Sequence, residues 1–103
     1  MARFILSASA SADQTEIIND LNSTAGLRTA TKFRGLFSTL YVNLTDHPAI
    51  GAPRPALGRN IRIGIVSPYI IIYRHSEGDD TVTVLRIVHG RRRITSRLLL
   101  EDF

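Results

Sequence analysis

Apolar side chains in the first half of the chain recur every three or four residues, the spacing of one face of an α-helix. Between residues 27 and 45 this stripe comprises Leu27, Ala30, Phe33, Phe37, Leu40 and Leu44. A shorter stripe over residues 8–21 comprises Ala10, Ile17, Ile18 and Leu21. Ser7 or Ser11 can cap this first helix, and the polar turn at 22–24 is expected to end it. The short connection between the two segments predicts an antiparallel helical hairpin.

The second half of the chain consists of short apolar segments separated by turn residues. Strands are predicted over residues 61–66, 69–75 and 81–89, and a further strand over 3–6 precedes the helices. Segment 49–60 is predicted as a loop because it holds two prolines and two glycines. We therefore expect an α+β fold in a single domain over residues 1–103. The helical hairpin should pack on an antiparallel sheet that includes a C-terminal three-strand meander.

Side-chain alternation sorts the predicted meander into two faces if Val66 lies opposite Tyr69 and His75 lies opposite Thr81. The face expected under the helices comprises Ile61, Ile63, Ile65, Ile70, Ile72, Val82, Val84 and Val88. Arg74 and Arg86 interrupt this face, and each is expected to be paired, since an unpaired buried guanidinium is costly. The other face, expected to bind a partner, comprises Arg62, Gly64, Val66, Tyr69, Ile71, Tyr73, His75, Thr83, Leu85, Ile87 and His89.

Composition and charge narrow the classes of function. The chain has 103 residues and no cysteine, which excludes disulfides and thiolate metal sites. The N-terminal segment does not have the pattern of a signal peptide, and no apolar run approaches membrane-spanning length, so we expect a cytoplasmic protein without a membrane partner. The formal net charge is +4, and residues 51–103 hold nine arginines against five acids. Nucleic acid, the ribosome or an acidic protein are all suitable partners for this basic half.

The stretch TVTVLRIVHGRRRI at 81–94 holds the strongest candidates for a functional site. His89 has a side chain suited to proton transfer, because an unperturbed imidazole titrates near neutral pH. No carboxylate neighbours it on the predicted strand, so we favour a histidine that lines a partner site over a catalytic one. Arg91, Arg92 and Arg93 are interpreted as a clamp for phosphates or carboxylates in preference to a solvated run.

Arg62 and Tyr73 complete the set of candidate binding residues. Both lie on the predicted open face, where an arginine can dock or stack on an aromatic ring. No catalytic residue is predicted. The three histidines, at 47, 75 and 89, lack the spacing of metal ligands, and no phosphate-binding glycine loop is present. We therefore expect neither a metal nor a cofactor.

Three segments in a fixed order resemble a known family. They are DHPAIGAPRPALG at 46–58, PYIIIYR at 68–74 and VLRIVHGRRR at 84–93. Together with the predicted order of strand, helical hairpin, loop and meander, they resemble the ParE-like branch of the RelE/ParE superfamily of bacterial toxins. The resemblance covers nearly the whole chain. The first helix departs from it, because Gln14 stands where that branch usually has leucine.

This resemblance implies the toxin of a type II toxin–antitoxin module, a class once called plasmid stabilisation proteins. RelE-like members are ribosome-dependent mRNA endonucleases, whereas ParE-like members poison DNA gyrase without being nucleases. The endonucleases carry an arginine at the start of the middle meander strand and an aromatic or basic residue just after the last strand. Here those places hold Tyr69 and Gly90. We therefore expect a non-enzymatic inhibitor of DNA gyrase.

The resemblance also implies a neutralising partner. This would be a ParD-like antitoxin whose acidic C-terminal segment folds along the apolar surfaces of the toxin as an amphipathic helix or an added strand. Two alternatives remain open. One is a ribosome-dependent mRNA endonuclease that uses His89 and nearby arginines, and the other is a basic RNA- or ribosome-binding module without toxicity. Direct binding to nucleic acid is expected to be secondary.

Overall fold

The computed structural model describes residues 1–100 and shows two helices packed on a five-stranded sheet. In chain order the elements are β1 (Arg3–Leu6), α1 (Ala8–Ala25), α2 (Leu27–Asp46), β2 (Ala52–Pro53), a 3-10 helix (Pro55–Leu57), β3 (Ile61–Val66), β4 (Tyr69–Ser76), β5 (Thr81–His89) and α3 (Ser96–Leu100). The strand order is β1-β5-β4-β3-β2. This arrangement confirms the predicted α+β fold with a helical hairpin and a C-terminal meander. None of the helices described is long and apolar enough to cross a membrane.

The first helix begins at the predicted cap but ends later than predicted. The Ser7 side chain accepts a hydrogen bond from the backbone N–H of Ala10 at 3.0 Å, so Ser7 and not Ser11 is the N-cap. The polar residues at 22–24 stay helical, and the Thr24 hydroxyl donates back to the carbonyl of Asp20 at 2.8 Å. Gly26, with φ of +91°, separates the two helices instead.

The sheet is mixed, because β1 pairs in parallel with β5 while the meander strands pair antiparallel. Val66 lies opposite Tyr69 as predicted. The second pairing was predicted one residue out of register, since Ser76 and not His75 lies opposite Thr81. The β4–β5 ladder is also irregular at Ile72/Tyr73, and this irregularity changes which side chains share a face.

The face under α1 and α2 is largely the reverse of the predicted one. It carries Val66, Tyr69, Ile71, Tyr73, Val82, Val84 and Ile87, of which only the two valines at 82 and 84 were placed there by the alternation. Five residues predicted to lie under the helices belong to the other face or its border, namely Ile61, Ile63, Ile70, Ile72 and Val88. Leu57 of the 3-10 helix and Leu98 and Leu99 of α3 cover that second face. Because both faces are covered, neither shows the polar alternation that would have identified the outer one.

The core beneath the helical hairpin is rich in aromatic rings. Phe37 is completely buried, with its ring centroid 5.9 Å from that of Tyr69 and 6.4 Å from that of Tyr41. Phe33 meets Tyr69 edge-on at 5.6 Å. The inward stripe of α2 thus runs through Ala30, Phe33 and Phe37 as predicted, whereas Leu27 at its start is exposed.

Candidate functional site

The C-terminal end of β5 places an exposed histidine on an aromatic ring. His89 packs edge-on against Tyr69, with ring centroids 5.9 Å apart. Its Nδ1 accepts a hydrogen bond from the backbone N–H of Arg91 at 3.1 Å. A nitrogen that accepts a hydrogen bond carries no proton, so the proton of the neutral ring lies on Nε2. His89 therefore presents a hydrogen-bond donor to its surroundings and holds its one lone pair within the turn.

A cavity of about 320 Å³ lies between α1 and the end of β5, and His89 lines it. Its acidic wall is supplied by α1 through Asp13, Glu16 and Asp20, while Tyr69 and Arg92 line it from the sheet side. Burial raises the pKa of the Tyr69 hydroxyl, and the charge of Asp20 adds to the rise. As the sequence indicates, β5 itself holds no carboxylate, and the carboxylates of this cavity come from a helix about seventy residues earlier in the chain.

The arginine run forms the turn that leaves β5. The N–H of Gly90 donates to the carbonyl of Pro68 at 2.7 Å, and the N–H of Arg92 donates to the carbonyl of His89 at 2.9 Å. The side chains of Arg91, Arg92 and Arg93 are exposed. Of the three, only Arg92 lines the cavity beside His89. Arg92 therefore shares a cavity with His89, whereas Arg91 and Arg93 are exposed outside it.

Asp13 and Arg86 form a shielded ion pair at the back of this site. The Arg86 guanidinium donates to both carboxylate oxygens of Asp13, with Nε–Oδ2 at 2.7 Å and Nη2–Oδ1 at 3.2 Å. Asp13 also accepts the backbone N–H of Ile87 at 2.9 Å, while Arg86 Nη1 donates to the carbonyl of Leu98 at 3.4 Å. The predicted pairing of Arg86 is confirmed, and it connects α1, β5 and α3.

Arg74, the second arginine that was expected to be paired, has no such partner among the residues that the structure describes. It lies half-buried opposite Ile61, and no ion pair or hydrogen bond to its guanidinium occurs within residues 1–100. Arg74 is only half-buried, and an arginine can lay its apolar stem along the protein while its charged end stays in water, so a partner is not required. Within residues 1–100 the expected pair is not formed.

Tyr73 and Arg62 lie together but hold a loop in place. Tyr73 is completely buried, and its hydroxyl donates to the carbonyl of Pro48 at 2.8 Å and accepts the N–H of Gly51 at 3.0 Å. Burial raises the pKa of this hydroxyl, against a smaller lowering by the Gly51 hydrogen bond and by Arg62. Arg62 Nη1 donates to the carbonyls of Ala49 and Gly51 at 3.1 and 2.8 Å. The prediction that Tyr73 lies on an open face was wrong.

Gly51 explains part of the DHPAIGAPRPALG segment. A Cβ atom at this position would lie 2.5 Å from both the Ile63 carbonyl oxygen and the Tyr73 hydroxyl, which is closer than side chains approach. Only glycine therefore lets the loop close onto β3 and the buried tyrosine. The loop exposes Ile50 and Arg54 at its outer side.

A second cavity of about 520 Å³ lies beneath that loop, at the opposite end of the sheet from His89. Arg59, Arg62, His75 and Glu77 line it together with prolines of the loop. His75 Nε2 lies 2.8 Å from the Asp80 carboxylate, so its ring is already engaged. No group of three or more potential metal ligands occurs in the part of the chain that the structure describes.

Comparison with known proteins identifies the family. The model of the family described as the ParE toxin of the type II toxin–antitoxin system parDE matches residues 4–94. The chain belongs to this family. No curated protein matches the toxin by sequence.

Two solved structures have the same fold as this ParE-family toxin. A chain of the chromosomal ParDE toxin–antitoxin system from P. aeruginosa matches with a TM-score of 0.71 and 21% identity, over 86% of the toxin and 96% of that chain. A chain of the RelBE2 toxin–antitoxin complex from Mycobacterium tuberculosis matches with a TM-score of 0.64 and 18% identity, over 85% of the toxin and 96% of that chain. The fold is therefore common to toxins of the ParE and RelE types.

Proposed function

We propose that this toxin inhibits DNA gyrase without catalysis and is neutralised by a ParD-like antitoxin. Membership of the ParE family supports this assignment. The main support for the absence of catalysis is the hydrogen bond that His89 Nδ1 accepts. A general base needs a free lone pair, and the only lone pair of the neutral imidazole accepts the N–H of Arg91. Tyr69 also argues against catalysis, because it stands at the place where the related endonucleases carry an arginine.

The exposed arginines after β5 are the proposed contact with the target. Three neighbouring guanidinium groups on a chain of net charge +4 are suited to acidic side chains or to the phosphates of gyrase-bound DNA. Arg62 and Tyr73 are proposed to act indirectly, by holding the loop that exposes Ile50 and Arg54. The same positive charge supports an antitoxin whose C-terminal segment is acidic.

Ribosome-dependent mRNA cleavage is the second candidate function. One observation favours it, namely that Glu16 and Asp20 share a cavity with His89. A carboxylate and an imidazole in one cavity can act as base and acid if the histidine gives up its hydrogen bond to Arg91.

Two assays with purified protein separate the candidates. We expect the toxin to trap gyrase on cleaved plasmid DNA and to leave mRNA intact on translating ribosomes. His89→Ala should remain toxic, as should the control His47→Ala at the exposed end of α2. Ribosomal mRNA cuts that disappear in His89→Ala and in Glu16→Gln, with unchanged thermal midpoints, would establish the endonuclease and refute gyrase inhibition as the activity.

A further inference from the structure

The segment around the loop between α2 and β3 gives the toxin a basic region besides the arginines at 91–93. Residues 47–76 hold four arginines and no acidic residue. Two of these arginines, Arg59 and Arg62, line the cavity of about 520 Å³ at the opposite end of the sheet from His89. The residues that line this loop cavity include Ala49, Pro53, Pro55, Arg59, Arg62 and Glu77. The loop cavity therefore offers positive charge in a place that the arginines after β5 do not reach.

Both guanidinium groups of the loop cavity keep unused hydrogen-bond donors. Arg62 is half-buried, and its Nη1 donates to the carbonyls of Ala49 and Gly51 at 3.1 and 2.8 Å. Its Nε and Nη2 donate to no acceptor within residues 1–100. The Arg59 guanidinium forms no hydrogen bond or ion pair with the described part of the chain. A guanidinium with free N–H groups is suited to a phosphate or a carboxylate, because it can donate two parallel hydrogen bonds.

The turn that carries Arg59 is anchored on both sides. Gly58 and Asn60 have φ of +141° and +62°, and the N–H of Gly58 donates to the carbonyl of Pro55 at 3.2 Å. The carbonyl of Asn60 accepts the N–H of His75 in β4, also at 3.2 Å. Positive φ is uncommon for residues other than glycine, and asparagine is among those that adopt it most readily. Arg59 therefore begins at a fixed point of the cavity wall, so that binding has to order only its side chain.

The other walls of the loop cavity narrow the class of ligand. Pro53 and Pro55 supply apolar rings, and Glu77 supplies a carboxylate. A bare anion would be repelled by Glu77 and would leave the prolines uncovered. A nucleotide suits all three features, because its phosphate can bind the guanidinium groups, its base can cover the prolines and its ribose hydroxyls can donate to Glu77. A volume of about 520 Å³ also lies within the range of about 300–1,000 Å³ that is usual for small-molecule sites.

We propose that the loop cavity binds a nucleotide, with Arg59 and Arg62 on its phosphate and the two prolines against its base. The nucleotide is either a free one or a unit of a nucleic acid strand, since both present the same phosphate, sugar and base. This inference does not rest on inhibition of gyrase, because the loop cavity and the arginines at 91–93 lie at opposite ends of the sheet. Failure of one assignment therefore leaves the other standing.

An NMR titration of purified, isotope-labelled toxin tests the proposal. The probe is adenosine monophosphate, and adenosine and inorganic phosphate represent its two parts. We expect the backbone amides of Arg59, Asn60 and His75 to shift with adenosine monophosphate and to saturate with a dissociation constant below about 1 mM. Adenosine and inorganic phosphate should each bind at least about tenfold more weakly, because each makes only part of the contacts. The amides of Gly90 and Arg92 should not shift.

Variants of two arginines on the same loop provide a matched comparison. Arg59→Ala should raise the dissociation constant about tenfold or more, since it removes a charged donor to the phosphate. Arg54→Ala is the control, because Arg54 is exposed but does not line the loop cavity, and its dissociation constant should stay within about threefold of the parent. Both side chains are exposed, so circular dichroism melts should show the parent's midpoint for both variants. Arg62 is left in place because it also holds the loop.

A short oligoadenylate RNA strand identifies the source of the nucleotide. If the strand shifts the same amides and binds at least about tenfold more tightly than adenosine monophosphate, the ligand is a unit of a strand, and otherwise it is the free nucleotide. Absence of these shifts with either probe at about 10 mM would overturn the proposal, as would equally tight binding of inorganic phosphate. Unchanged affinity in a folded Arg59→Ala variant, or shifts confined to residues 90–93, would also refute it.

Discussion

Removing the Asp13 carboxylate should destabilise the toxin more than any other exchange of a charged residue on α1. Asp13 holds the Arg86 guanidinium by two hydrogen bonds and caps the N–H of Ile87, so one side chain satisfies three donors. The side chains of Arg86 and Asp13 are only 12% and 16% exposed. Asp13→Ala therefore leaves a shielded cation and a backbone N–H without this acceptor.

The size of the effect follows from these two losses. Breaking a buried ion pair by removing one partner costs about 3–5 kcal/mol, and residual exposure of this pair favours the lower end. An unsatisfied backbone N–H costs about 1–3 kcal/mol where water does not replace the acceptor. Because the two losses share one site and are not additive, we expect the free energy of unfolding to fall by about 3–4 kcal/mol. Small domains have about 5–15 kcal/mol in total.

Urea unfolding followed by circular dichroism measures this loss. Glu16→Ala is the control, since Glu16 is exposed on the same helix and lines the same cavity, and its effect should stay within about 0.5 kcal/mol. The double variant Asp13→Ala/Arg86→Met should recover much of the loss, because it removes the shielded charge as well as its acceptor. A loss below about 1 kcal/mol for Asp13→Ala would refute the conclusion that the Asp13 carboxylate stabilises the fold through these three hydrogen bonds.

Three further predictions address the core, the arginine run and the tyrosines. Phe37→Ala should lower the free energy of unfolding by about 3–5 kcal/mol, because the ring is fully buried, and a thermal melt with an unchanged midpoint would contradict the observed packing. Replacing the three arginines at 91–93 with glutamate changes the charge by six units, yet the fold should persist because the side chains are exposed. Affinity for the gyrase–DNA complex should fall and become less salt-dependent, whereas equal affinity in a folded variant would make the arginines a solvated run. Burial raises the pKa of all three tyrosines above the ordinary value of 10.0, so the unfolded chain loses these protons first. The contribution of the buried hydroxyls to the free energy of unfolding should therefore be fully present below about pH 10 and should be lost as the pH rises above it. A free energy of unfolding that shows no such alkaline loss would contradict the burial of the hydroxyls.

Several features of the toxin could be predicted from local sequence. The bounds of β3 and β5 were predicted to the residue, and the inward stripe of α2 through Phe33 and Phe37 was predicted with the right phase. These features depend on hydrophobic period and turn residues, which act within a few positions along the chain. The cap at Ser7 and the Val66–Tyr69 turn are local for the same reason.

Other features depended on contacts between distant segments. The sheet carries apolar residues on both faces, so its sequence could not reveal that Tyr73 faces the helices while Ile72 faces α3. Leu98 and Leu99, which cover that second face, lie in a helix that was not predicted. The irregular pairing at Ile72/Tyr73 also depends on the packed sheet, because a change of one residue in register leaves the local apolar pattern unchanged.

The chemical surroundings of the candidate site were likewise decided by the tertiary structure. Sequence alone placed His89 beside three arginines at the end of a strand, but its carboxylate neighbours come from α1. Tyr73 was predicted to lie on an open face, but it is buried because Pro48 and Gly51 fold back over its hydroxyl and form hydrogen bonds with it. Electrostatic and hydrogen-bonded partners are set by distance in space, and in this protein the decisive partners lie between about twenty and seventy residues apart along the chain.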